Sequence, residues 1–171
     1  MQAIVAVDNN WGIGYRGQLL AHIPADMRFF KQATMGKIVV MGKETFLSLP
    51  GGKPLSGRVN IILCEDRHFS DQDIIVCVNL GELWEELSNH PQQEIFVIGG
   101  ANVYAQLLPF CQGALVTKIN AEFPADRYFP ELDEMPEWEM VEEGPAQFYG
   151  ELGFRFTRYV NRNCGIHGNK I

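Results

Sequence analysis

The stretch EIFVIGGANVYAQLL, from Glu94 to Leu108, decides how the rest of the chain is read. Glu94–Ile98 is a short apolar run of strand length, Gly99-Gly100 breaks it, and a helix is expected over Asn102–Leu108. The same order occurs at KIVVMGKET. There Lys37–Met41 reads as a strand buried on both faces, Gly42-Lys43 turns the chain, and Glu44–Leu49 makes a short helix stopped by Pro50-Gly51-Gly52. Strands alternating with helices argue for βαβ units and a parallel sheet.

Outward from these junctions the chain follows suit. Further strands are expected at Ala3–Val7, Arg58–Leu63 and Ile74–Val78. Helices are expected at Ala25–Thr34, opened by Pro24 with an acid in the first turn, and at Leu80–Asn89, ended by His90-Pro91. After that the texture changes: Ala114–Asn120, Glu137–Glu143 and Phe154–Asn161 look like strands without helices between them. They predict an antiparallel edge closing the same sheet, hence a single α/β domain over residues 1–161. Arg162–Ile171 is polar and glycine-containing and is expected to fray.

The chain has 171 residues, a formal net charge of -7 and 46% hydrophobic residues, a globular composition long enough for a full core. The acidity argues against a nucleic-acid or anionic-membrane partner, which would need a basic face. The apolar start, Met1–Val7, has no basic flank or cleavage site, and no stretch approaches the ~18 apolar residues of a membrane span. Cys64, Cys77, Cys111 and Cys164 show no C-x-x-C pairing and read as reduced thiols of a cytoplasmic protein. No zinc or other metal is expected, because His22, His68, His90 and His167 lack ligand spacing relative to the cysteines.

In an open parallel sheet, ligands bind beyond the carboxyl ends of the strands. Gly12, Gly14 and Gly17 match a G-x-G-x-x-G pattern, but Pro24 follows too soon for a helix to start within those glycines. The dinucleotide fingerprint is therefore rejected in favour of a glycine-hinged loop. The Gly42-Lys43 and Gly99-Gly100 junctions can let a phosphate approach backbone N–H groups, or can serve only as tight βα turns. Asp26 shares a helix face with Phe30, with Met27 alongside. It is either a first-turn acid that favours the helix dipole, or a carboxylate among apolar walls whose pKa burial would raise.

Together the motifs resemble the dihydrofolate reductase family, in its bacterial style, from Ala3 to about Tyr159. The matching pieces are Ala6-Val7-Asp8 with Trp11-Gly12-Ile13-Gly14, IPADMRFFK (23–31), Val40-Met41-Gly42-Lys43 with Thr45, KPLSGRVNIIL (53–63), IGGANVY (98–104), Thr117, and Ala125-Asp126 before Tyr128-Phe129-Pro130. The resemblance implies an eight-stranded, mostly parallel twisted sheet with four flanking helices. It also implies hydride transfer from NADPH to 7,8-dihydrofolate with protonation at N5, giving tetrahydrofolate for one-carbon metabolism. The enzyme would be a cytoplasmic monomer open to antifolates such as trimethoprim or methotrexate.

By position, Asp26 would be the active-site carboxylate, hydrogen-bonded to the pterin, with Thr117 behind it through a water. Met27, Phe30 and Leu49 would wall the substrate, and Arg58 would grip the glutamate α-carboxylate. Ala6 and Ile98 would line pterin and nicotinamide through backbone carbonyls. Ile13, Gly14, Leu19, Gly42, Lys43, Thr45, Leu63, Cys64, Gly99, Gly100, Ala101, Asn102, Val103 and Tyr104 would hold the cofactor. Gly12–Leu20 would be a mobile loop with Asp126 as its docking partner. The chain departs from the family pattern in having Ala21 where most members have Trp, and Lys43 and Asn102 where Arg is frequent. Lys43 and Arg67 favour a 2′-phosphate, whereas Glu65 and Asp66, which fall where Ser or Thr is frequent, would repel it, although both can turn to solvent, where screening weakens them. Two rivals use the same glycine junctions: the pyrimidine reductase of riboflavin synthesis, which has no need for Asp26 and Arg58, and a non-catalytic nucleotide- or pterin-binding module.

Overall fold

Period-two burial along the strands builds this molecule. In the computed structural model, which describes residues 1–164, the order is β1 (Gln2–Val7), β2 (Gly12–Tyr15), β3 (Gln18–Leu19), α1 (Pro24–Thr34), β4 (Ile38–Gly42), α2 (Lys43–Ser48), β5 (Val59–Leu63) and β6 (Ile74–Cys77). There follow α3 (Leu80–Ser88), β7 (Ile95–Gly99), α4 (Ala101–Leu107), β8 (Gly113–Ile119), β9 (Arg127–Tyr128), β10 (Trp138–Glu143), β11 (Gln147–Tyr149) and β12 (Leu152–Asn161). The main sheet runs β10-β12-β8-β1-β7-β4-β5-β6, with β11 attached to β12. Every pair from β8 to β6 along that order is parallel, and β10, β11 and β12 form the antiparallel edge. The fold is the expected α/β sheet with four helices, and the expected segments match to within a residue or two.

Alternate residues of each central strand enter opposite cores. Ala3, Val5 and Val7 of β1, with Ile38 and Val40 of β4, pack with Leu83, Leu87, Val103 and Leu107 of α3 and α4. Ile4, Val39, Met41 and Phe96 face the other way, onto Phe29 and Phe30 of α1 and Phe46 of α2. The β1–β7 ladder ends at Ala3–Val97, and β7 carries a register shift before Met41–Gly99. The carboxyl ends of β1 and β7 are therefore no longer laced together. Ala6 and Ile98 border that gap, the place where a doubly wound sheet binds ligands.

Two features depart from expectation. The segment read as a hinged loop contains a hairpin: Tyr15 pairs with Gln18 across Arg16 (φ 49) and Gly17 (φ 77), and β2 also pairs with β9. Two consecutive positive-φ residues match the twist of the flanking strands, which is what a two-residue hairpin turn requires. The short strand β11 was also not expected. As for the tail expected at 162–171, Arg162 donates its backbone N–H to the Glu137 carbonyl and pairs with Glu139, whereas residues 165–171 lie outside the described part.

Candidate active site

Asp26 sits in the first turn of α1, which begins with Pro24 at a position where a missing N–H costs nothing. That turn crosses the end of β8, where Thr117 lies beside Ala6 in the β1–β8 register. Thr117 is 2% exposed, and its hydroxyl donates to Asp26 Oδ1 at 2.6 Å. Contact is direct, so the water expected between the two residues is not required: α1 stands close enough to the sheet for the side chains to meet. Burial pushes the Asp26 carboxyl up from its ordinary value, and the Thr117 hydrogen bond opposes this only in part. Phe30, Leu49 and Ile98 pack in the same apolar cluster, and Ala6 and Ala21 pack in the adjoining one with Ile23. Met27 is 41% exposed and forms the outer wall.

Arg58 follows Gly57, which packs against Met35 just after α1. Its Nη1 donates to the Ser56 carbonyl, while Nε is buried and has no hydrogen-bond partner among the described residues. Burial also lowers its pKa, though a guanidinium stays charged. A buried donor of a cation that pairs with no carboxylate among the described residues suits an incoming anion.

The two glycine junctions stand side by side, because β4 and β7 are neighbours. A Cβ at Gly100 would come within 3.1 Å of Thr45 Oγ1, and one at Gly42 within 3.2 Å of Val103 Cγ2. The surface there is backbone, so a ligand can approach it closely. Gly99 has φ 126, a conformation open to glycine, and the Gly99-Gly100 peptide is cis. Tyr104 and Val103 are buried and shape this cradle from beneath. The Tyr104 hydroxyl donates to the Ile4 carbonyl at 2.7 Å, just where β1 has lost β7 as a partner. Ala101 and Asn102 begin α4 beside the cradle, and Leu63 ends the adjacent β5 with Cys64 just after it. Glycine backbone, helix starts and Thr45 together fit a dinucleotide.

The sequence profile described as dihydrofolate reductase matches residues 1–161. The dihydrofolate reductase of Bacillus subtilis is 36% identical over 167 residues, covering 96% of each chain. That of Haemophilus influenzae is 37% identical over 139 residues, covering 80% of this chain and 82% of its own. A solved dihydrofolate reductase from Enterococcus faecalis, complexed with NADP(H) and RAB-propyl, superposes with a TM-score of 0.81 at 30% identity. It covers 94% of this chain and 95% of that one.

This chain belongs to the dihydrofolate reductase family.

As a member of that family it is an oxidoreductase. Its cofactor end, however, differs from expectation. Lys43, at the start of α2, pairs with Asp66 Oδ2 at 2.9 Å and lies 4.7 Å over the Phe69 ring. Asp66 stays exposed but sits on the lysine, and each holds the other's charge. Their hydrogen bond pushes the Lys43 pKa up and the Asp66 pKa down. Parallel pairing of β4 with β5 brings Gly42 opposite Leu63, so the residues just beyond are forced together.

The hairpin residues Ile13, Gly14 and Leu19 share the small second sheet. Asp126 does dock it. Its backbone N–H donates to the Gly14 carbonyl at 3.0 Å, and its Oδ2 accepts from Arg16 N at 3.0 Å.

Two organising residues were not singled out from the sequence. Asn60, 2% exposed, accepts from Leu55 N and donates to the Leu55 and Arg58 carbonyls, so it folds the loop that carries Arg58. Its signal was a lone amide inside the apolar run RVNIIL. Asp8, 3% exposed, accepts from Asn10, Gly12 and Phe123 backbone N–H groups and ties the hairpin's entry to the strand-end loop before β9.

Proposed function

We propose that this cleft carries out NADPH-dependent reduction of 7,8-dihydrofolate to 5,6,7,8-tetrahydrofolate, with Asp26 as the group that holds the pterin. The single observation carrying this reading is a mostly buried carboxylate, backed by one hydroxyl and walled by apolar side chains. Its other oxygen, Oδ2, has no hydrogen-bond partner among the described residues. An amino-pyrimidine edge, with donors on adjacent atoms, is the complement of a carboxylate in such a place. Thr117 fixes the carboxylate's rotation by donating to Oδ1. Phe30, Leu49, Ile98 and Met27 exclude water from the ring faces, and Arg58 takes the carboxylate of the substrate's glutamate.

NADPH, when bound along Gly42, Lys43, Thr45 and Gly99–Asn102, supplies the hydride. The chain's own share is largely positioning: two rings held face to face need correct placement more than a reacting side chain. Asp26, with its raised pKa, polarises the pterin so that N5 gains its proton more readily, and the proton arrives from water admitted by the hairpin. Further, the chain acts as a monomer in a reducing, cytoplasmic setting, which suits four unpaired cysteines. A carboxylate that holds an amino-pyrimidine edge also makes antifolates its natural inhibitors.

The test is loss of absorbance at the NADPH band with and without dihydrofolate. Substrate-dependent loss is expected. Oxidation indifferent to dihydrofolate, or none, would overturn the reading.

A further inference from the structure

Thr117 and Lys118 are neighbours on β8 and point to opposite faces of the sheet. Thr117 serves Asp26. Lys118 enters a cluster that the reduction leaves unused. Its ammonium lies 5.0 Å from the Trp11 ring centroid and 5.4 Å from that of Tyr159, and it pairs with Asp133 Oδ2 at 2.6 Å. The Tyr159 hydroxyl donates to the other oxygen of Asp133, also at 2.6 Å. The β1–β2 connection, β8, the short turn Leu132–Glu134 and β12 thus all meet on one cation. Two rings and a carboxylate hold it in place.

Trp11 is the member of this cluster under most constraint. It has φ 59, the left-handed region that favours glycine, and it immediately precedes Gly12, where β2 starts. Its carbonyl accepts from Phe129 N at 2.9 Å, and its ring stacks on Phe129 with centroids 6.2 Å apart. Phe129 in turn meets the Tyr104 ring edge-on at 4.7 Å. Tyr104 lies beneath the glycine cradle and holds the Ile4 carbonyl. A series of three buried rings, Trp11, Phe129 and Tyr104, therefore runs from Lys118 to the cradle and includes the residue that opens the hairpin. Close-packed rings of this kind do not shift singly.

We propose that Lys118, seated by Asp133, is a positioning residue for the cofactor: it holds Trp11 in its left-handed conformation and, through Phe129, sets both the hairpin entry and Tyr104. The inference rests on the reading of the glycine cradle as the NADPH site. Lys118 lies on the far face of the sheet from Asp26, so its effect belongs to the cofactor and not to the pterin. A bulky residue keeps a left-handed backbone only while its surroundings over-determine it. Without the ammonium, Trp11 loses one of those contacts and the rings behind Tyr104 gain room to move.

The experiment measures Kd for NADPH by calorimetry in wild type, Lys118→Met, Lys118→Arg and Lys37→Met, together with KM for dihydrofolate at saturating NADPH. Lys118→Met keeps the stem and removes the charge. It should raise Kd for NADPH about three- to tenfold, while KM for dihydrofolate stays within about twofold. Hydrogen exchange at the Phe129 amide, which reports the bond to Trp11, should quicken about fivefold or more. Lys118→Arg returns a cation to the rings and should bring Kd back to within about twofold of wild type. Lys37→Met breaks an ion pair at the amino ends of β4 and β7 and should change neither constant. In a Phe129→Leu background, Lys118→Met should add less than about twofold, because the series of rings is already cut. Unchanged Kd in Lys118→Met, an equal rise in both constants, or full additivity with Phe129→Leu would overturn the proposal and leave the cofactor reading standing. Should Lys118→Met not fold, Asp133→Asn, which unseats the ammonium without removing it, carries the same expectations and the same reversals. No NADPH binding by wild type would overturn the cofactor reading and the proposal with it.

Discussion

Asp26 and Lys43 are near-equivalents in the architecture: each sits at the start of a helix on the same side of the sheet. Their surroundings differ. Asp26 is half-buried and meets one neutral hydroxyl, so its charge is uncompensated and its proton is held more tightly. Lys43 is more than a third exposed and already has a carboxylate on it. A half-buried group with a single neutral partner is ready for a ligand. A surface ion pair must be opened first, and opening it takes back part of what the ligand brings. Recognition at the pterin end should therefore depend heavily on one residue, and recognition at the adenosine end on none.

The sharpest way to break this contrast is Asp26→Asn. Activity at pH 7 should fall by about 10²-fold or more, while the wild-type rate itself declines as pH rises and Asp26 and the pterin lose protons. Stability should move the other way. A raised native pKa means that ionised Asp26 costs folding free energy. That cost grows as pH rises from near 4 through the native pKa and is constant above it. The Asn variant escapes this cost and can still accept from Thr117, so its Tm at pH 7 should exceed wild type by a few degrees, with the difference shrinking below about pH 4. A fully active or less stable Asn variant at pH 7 would remove Asp26 from its role.

Arg58→Ala comes next: KM for dihydrofolate should rise roughly 10- to 100-fold, through loss of hydrogen bonds to a charged group. A small pteridine without the glutamate should be affected less than about twofold. Equal weakening of both would make Arg58 a structural residue.

Smaller effects are expected at Lys43. Asp66→Asn should free the lysine and lower KM for NADPH a few-fold, and Lys43→Ala should raise it by a similar factor, less so as salt is added. Comparable wild-type kcat/KM for NADH and NADPH would shift the assignment to Glu65 and Asp66 as ribose ligands. Smallest of all, Asp126→Ala should leave stability within about 0.5–1.5 kcal/mol but speed hydrogen exchange at the Arg16 amide. Unchanged protection there would mean that Asp126 does not hold the hairpin.

What the sequence made legible follows from period and punctuation. Strands β1, β4, β5 and β7 announce themselves as β-branched runs, and the glycines at 42, 99 and 100 mark where they end. Asp26 and Thr117 are 91 positions apart, so no local pattern could show that they touch; family likeness placed them, and with an extra water. The Lys43–Asp66 pair escaped for the same reason, since it depends on β4 and β5 being neighbours. The hairpin at residues 12–19 was hidden because Gly14 and Gly17 read equally as hinges and as turn formers. Asn60 was visible as an oddity, but its task, bonding back to Leu55 and Arg58, exists only once the loop has closed.

The cysteine distribution also makes the molecule its own gauge. Burial pushes the Cys77 thiol up to about 11 and the Cys111 thiol up to about 12, so neither offers much thiolate to an alkylating reagent at neutral pH. Cys64, half-buried, follows β5 beside Asp66, while Cys164, also half-buried, lies against Phe110 beyond the far end of α4. Alkylation timed by mass spectrometry would thus follow two clocks in one unlabelled chain, one at the adenosine end and one remote from it. NADPH should slow the first and leave the second running, which gives site occupancy without a dye, a mutation or a turnover assay.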